Sequence, residues 1–130
     1  MEAPVLLLVE DEELVQVMLA TEFTDTGFET VVANDGNRAL AELDADAARF
    51  KAVVTDINLG EGPDGWDVAR RARELVADMP VVYITGDSSH DWASKGVPNS
   101  VVVSKPFVPA QLSTAVATLI TAADTNRPSE

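Results

Sequence analysis

The chain has 130 residues, 13.8 kDa in all, which is one domain's worth and predicts no fused output module. A hydrophobic content of 46% suffices for a core, while 9 Lys+Arg against 22 Asp+Glu give a net charge of −13. Such a surface repels a phosphate backbone, so direct nucleic-acid binding is disfavoured. The absence of cysteine excludes a disulfide framework and a thiolate metal site, and one histidine excludes a multi-histidine zinc site. The first residues carry no basic segment before their apolar run, and no apolar stretch approaches the ~20 residues of a spanning helix. No membrane association is expected, and the default location is the cytoplasm.

Taken in chain order, short apolar runs rich in β-branched residues alternate with longer amphipathic stretches. The runs at 4–9, 29–33, 52–55, 80–84 and 101–103 read as strands buried on both faces. Helices are predicted at 12–26, 36–48, 65–77 and 109–123. In the first, Leu14, Val17, Met18 and Phe23 share one broad apolar face, and Gly27 is its stop signal. In the last, Leu112, Val116, Leu119 and Ile120 do the same. The connection between Ile84 and Val101 is interrupted by Gly96 and Pro98, so its helix, near 91–95, is expected to be short. Trp92, a large aromatic in that segment, reads as a core plug or, if exposed, as a partner anchor, with the plug preferred, and His90 is expected to face solvent. Residues 1–123 then form the domain and 124–130, polar and containing a proline, a frayed tail. Alternating β and α units of this size imply an α/β fold, a five-stranded parallel sheet with helices on both faces and right-handed crossovers.

Sheets of this kind place their working site beyond the carboxyl ends of the strands. Glu10 and Asp11 follow the first run, Asp56 and Asn58 the third; Thr85 ends the fourth and Lys105 follows the fifth. Asp11, Asp56, Thr85 and Lys105 are successively 45, 29 and 20 residues apart, so only the fold could assemble them. Three converging carboxylates repel one another unless a cation and Lys105 offset the field. An oxygen-rich site of this type suits Mg²⁺ together with phosphate oxygens. Each side chain also has an ordinary explanation: helix-dipole acids at 10–13, a strand-end cap at Asp56, a β-branched strand residue at Thr85, a solvated charge at Lys105. Agreement of six positions in order, spacing and strand end outweighs those separate explanations.

The segments VLLLVEDE, VVTDINL, VVYITG and VVVSKPF resemble the receiver domains of two-component response regulators over nearly the whole chain. The resemblance implies a flavodoxin-like, doubly wound sheet of order 2-1-3-4-5. It implies Asp56 as phosphoacceptor, with Glu10, Asp11, Asp56 and the backbone carbonyl of Asn58 around Mg²⁺. It further implies Thr85 as switch hydroxyl, Lys105 as the cation paired with the phosphoryl group, and a cis Lys105–Pro106 peptide. The expected partner is a histidine kinase or histidine phosphotransfer protein, with a protein effector downstream, and the only chemistry expected is the domain's own phosphorylation and dephosphorylation. In that chemistry an Asp56 oxygen attacks phosphorus while positioning and charge neutralisation supply the catalysis.

Two features depart from the family pattern. The position three before the lysine, ordinarily a mobile aromatic, is Val102, and the fourth helix is abbreviated. Both favour a phosphate-sink or feedback role over a conventional conformational output. Glu10 is one methylene longer than aspartate and is expected to reach the metal through water; Gly86 leaves the site open to a phosphohistidine. The run Gly60-Glu61-Gly62-Pro63-Asp64-Gly65 matches a dinucleotide fingerprint formally, yet Pro63 lacks an amide donor and Glu61, Asp64 and Asp67 oppose a pyrophosphate. It reads as a loop one residue longer than usual. Asp56-x-Asn58 opens like a calcium loop but lacks the oxygen ligand and glycine that should follow. The competing functions are a phosphorylation-independent pseudo-receiver, which intact Asp56, Thr85 and Lys105 oppose, and an aspartyl-phosphate phosphatase, whose second aspartate is here Asn58.

Overall fold

The computed structural model describes residues 3–86 and 89–126. Five strands, β1 (Val5–Val9), β2 (Glu29–Ala33), β3 (Phe50–Asp56), β4 (Val81–Thr85) and β5 (Val101–Ser104), form one parallel sheet of order β2-β1-β3-β4-β5. The helices are α1 (Glu13–Asp25), α2 (Gly36–Asp46), α3 (Gly65–Leu75), α4 (Trp92–Lys95) and α5 (Pro109–Asn126). This is the flavodoxin-like arrangement, and α4 has four residues, preceded by a 3-10 turn at Ser89–Asp91.

The period of two along each strand divides the core. Leu6, Leu8, Ala52, Val54, Val82 and Ile84 pack with Leu19 and Phe23 of α1 and Leu112 and Val116 of α5. Leu7, Val9, Val53, Val81 and Tyr83 pack on the other face with Ala39 and Leu43 of α2 and Trp66, Val68 and Ala69 of α3. Both faces are covered, which is why the strands read as continuous apolar runs rather than alternating ones.

Three expectations shift. On α1 the buried stripe runs through Leu19 and Phe23, whereas Leu14 is 85% and Val17 60% exposed, so the apolar face read from the sequence is split between core and surface. Trp92 is no core plug: it is 37% exposed, and its Nε1–H donates to Ser100 Oγ at 2.9 Å. Val97 and Tyr83 are the core residues of this region, with the Val97 N–H donating to the Tyr83 hydroxyl at 3.0 Å. α5 continues to Asn126, because Ala122, Ala123 and Thr125 carry the helical ladder past the point where polarity suggested a stop; residues 127–130 of the expected tail lie outside the described residues. His90 has its side chain 79% exposed, as expected.

The β3–α3 loop is pinned where it passes under the site. Asp64 and Asp67 cap α3 reciprocally, Asp67 N–H to Asp64 Oδ1 at 3.0 Å and Asp64 N–H to Asp67 Oδ2 at 3.1 Å. Their carboxylates are committed to the helix, which disposes of the dinucleotide reading. The loop lies so tightly on α2 that a Cβ at Gly36 would land on the Pro63 carbonyl, and one at Gly65 on the carbonyl of Asp56.

Candidate functional site

Glu10, Asp56, Thr85 and Lys105 meet at the carboxyl end of the sheet. β1 and β3 are adjacent and in register, Val9 opposite Thr55, so the residues that follow, Glu10 and Asp56, emerge side by side. β4 brings Thr85 opposite Ser104 of β5, and the Lys105 N–H then donates to the Thr85 carbonyl at 2.7 Å. The next peptide, Lys105–Pro106, is cis. Lys105 Nζ reaches back to Asp56 Oδ2 at 3.1 Å and lies 3.9 Å from Glu12 Oε1. Asp56 Oδ1 accepts the Asn58 N–H at 3.3 Å, which brings the Asn58 backbone to the same cleft.

The electrostatics of this cleft are unbalanced. Carboxylate oxygens of Glu10, Asp11 and Asp56 lie within 4.8 Å of one another, with one ammonium among them. Glu10 and Asp56 are buried while Asp11 is exposed. Glu10 Oε2 accepts the Glu12 N–H at 3.0 Å, but Oε1 is buried without a partner. Burial pushes the Glu10 carboxyl up to about 7, against the opposing pull of the Glu12 N–H and with the Asp56 charge adding to the rise. Burial likewise raises Asp56 although the Lys105 hydrogen bond and charge oppose it. Burial pulls Lys105 down, and Asp56, Glu10 and Glu12 together outweigh it, leaving the ammonium above its ordinary value. A hard, oxygen-loving cation fits this donor set: carboxylates converge, one buried oxygen is orphaned, and an exposed acid leaves a way in. Glu10, Asp11 and Asp56 are the side chains that could hold it.

The fold brings Glu10, Asp11, Asp56, Asn58, Thr85 and Lys105 to one end of the sheet, and two residues that neither type nor period marks brace the segments carrying them. Gln16, an unremarkable polar residue on α1, donates through Nε2 to the Glu10 carbonyl at 2.6 Å and to Asn34 Oδ1 at 2.8 Å. Tyr83 lies two residues before Thr85 and directly opposite Val102. Val102 packs half-buried against the core, so the aromatic of this region stands on β4 rather than β5, its ring 4.7 Å from that of Trp66 between centroids and tilted 55° to it. The apolar run of β4 signalled burial of Tyr83; only the fold shows that its hydroxyl holds the β4–β5 connection.

Fold and site together define a class, and comparison with known proteins confirms it. Residues 6–117 match the response regulator receiver domain family, and the chain belongs to that family. It is similar to the crystal structure of a response regulator receiver protein from Sinorhizobium medicae, with a TM-score of 0.90 and 44% identity over 94% of this chain and 98% of that one. Among curated proteins it is 30% identical to the transcriptional regulatory protein CusR of Escherichia coli, covering 88% of this chain and 50% of that protein. It is also 39% identical to the sensory transduction protein RegX3 of Mycobacterium tuberculosis over 64% of this chain and 35% of that protein. The chain spans about half the length, or less, of these curated relatives. Among the described residues no helix is long and apolar enough to cross a membrane.

Proposed function

We propose that the protein accepts a phosphoryl group on Asp56 from a histidine kinase or histidine phosphotransfer protein, in a Mg²⁺-dependent reaction. The observation that carries this is the pairing of a buried Asp56 carboxylate with Lys105 Nζ at 3.1 Å inside an acidic cluster open on the Asp11 side. Glu10, Asp11, Asp56 and the Asn58 carbonyl would hold the cation, which supplies charge neutralisation at the phosphoryl oxygens. Lys105 holds the attacking carboxylate in place and offsets the charge that builds on the transferred group. Thr85, buried at the neighbouring strand end, is placed for its hydroxyl to meet a phosphoryl oxygen once Asp56 carries one. Positioning and electrostatics then do most of the catalysis, as phosphoryl transfer requires.

The donor protein would dock over the start of α1, where Leu14, Val17 and Met18 are exposed on the helix that follows the cleft-side acids Glu10 and Asp11. We further propose a cytoplasmic location and a stand-alone role, the latter supported by the Sinorhizobium medicae neighbour, a receiver protein matched over 98% of its length. Val102 in place of an aromatic, and the four-residue α4, support a phosphate-sink or feedback role. The decisive experiment is incubation with Mg²⁺ and a small phosphodonor followed by intact-mass measurement. One phosphoryl group should be gained, hydroxylamine should remove it, and Asp56→Asn should gain none; gain by that variant, or no gain by the wild type, defeats the reading and leaves a pseudo-receiver. A sink predicts rapid loss of the group, whereas a phosphorylated form that persists for hours and binds a new effector favours output.

A further inference from the structure

The two acids Glu10 and Asp11 are neighbours in sequence, so the peptide that joins them decides where both carboxylates point. That peptide is gripped. Its carbonyl, that of Glu10, accepts a hydrogen bond from Gln16 Nε2 at 2.6 Å, and the same nitrogen donates to Asn34 Oδ1 at 2.8 Å. A primary amide nitrogen has two hydrogens, and both are spent here. The preceding peptide is held from the other side, with the Glu10 N–H donating to the Ala33 carbonyl at 3.1 Å. β1, the end of β2 and α1 are thus tied at one point, immediately behind the acidic pair. Gln16 is half-buried and projects from the second turn of α1, so the grip is set by a helix rather than by the loop it steadies.

We propose that Gln16 is a positioning residue for the cation site: it fixes the Glu10–Asp11 peptide so that both carboxylates converge with Asp56. The inference rests on the Mg²⁺ reading given above. Groups standing behind metal ligands in this way typically change affinity by about 10- to 100-fold when removed. Gln16→Met keeps the length and removes both donors, and should weaken Mg²⁺ binding to the full chain by about 10-fold or more in calorimetric titration without phosphodonor. Thr26→Ala is the control for mere loss of helix anchoring, since the Thr26 hydroxyl donates to the Glu22 and Phe23 carbonyls at the far end of α1. It should lower the melting temperature and leave Mg²⁺ affinity unchanged. Wild-type affinity in Gln16→Met, or equal weakening in Thr26→Ala, overturns the proposal. Should Gln16→Met fail to fold, Asn34→Ala, which frees the amide but keeps its bond to Glu10, must weaken Mg²⁺ binding several-fold or the proposal falls. A wild type that binds no Mg²⁺ defeats the metal reading itself, an outcome distinct from a wild type that binds and a Gln16→Met variant that binds equally well.

Discussion

An acidic cluster kept for a cation should cost stability when the cation is withheld, and Glu10 makes that cost measurable. Its carboxyl is fully buried, and burial raises it from 4.5 to about 7. The folded state therefore holds the Glu10 proton more tightly than the unfolded chain does. The stability contributed by this group is complete below pH 4.5 and is lost as pH rises through about 7. At about 1.4 kcal/mol per tenfold change in binding constant, the gap amounts to about 3 kcal/mol, with roughly 2 to 3 kcal/mol of it falling between pH 5 and pH 8. Glu10→Gln removes the titration while its amide oxygen can still accept the Glu12 N–H. The new amide N–H₂ enters the place of the orphaned Oε1 and carries its own desolvation cost, about 1 to 3 kcal/mol, but that cost does not change with pH. The difference between the two pH values isolates the carboxylate.

Urea unfolding of wild type and Glu10→Gln, in the presence of a chelator, measures this directly. Wild type should lose roughly 2 to 3 kcal/mol relative to the variant between pH 5 and pH 8. Mg²⁺ at about 100 times its dissociation constant should then return about 2.7 kcal/mol to the wild type, and much less to the variant. Parallel pH profiles for the two proteins would refute the reasoning, since they would mean that Glu10 titrates alike folded and unfolded and that the cleft carries no strain for a cation to relieve.

Four further substitutions separate catalysis from architecture. Lys105→Met removes the ammonium 3.1 Å from Asp56 and should slow mass gain from a small phosphodonor by about 100-fold while the protein remains folded. Gly36→Ala drives a methyl group into the Pro63 carbonyl and should cost about 1 to 3 kcal/mol in urea unfolding, whereas Gly86→Ala, whose Cβ meets nothing within 4 Å, should be near neutral. Tyr83→Phe strands the buried Val97 N–H and should cost about 1 to 3 kcal/mol, with faster hydrogen exchange at Val97 than in wild type.

What the sequence disclosed of this protein, and what it withheld, follows from the range of the interactions concerned. Strand-end residues were legible because a parallel sheet converts order along the chain into adjacency in space: once five apolar runs are recognised, Glu10, Asp56, Thr85 and Lys105 have nowhere else to go. The α1 surface differs from its periodicity because its apolar residues exceed what one helix face can bury. Periodicity alone cannot tell Leu14, which is exposed, from Leu19, which the sheet and α5 enclose. Trp92 departs from its size for a related reason: a large aromatic argues for burial, but a helix of four residues offers no inward face deep enough to enclose it. Gln16 and Tyr83 escaped because their work is done by single polar atoms meeting backbone groups 6 and 14 residues away, and neither composition nor period registers such a meeting. The chemistry of the cleft is thus written in residue types, while its geometry depends on backbone groups that carry no sequence signature. Substitutions at Gln16 and Tyr83 therefore test the backbone supports of the acidic pair and of the β4–β5 connection, which no motif marks.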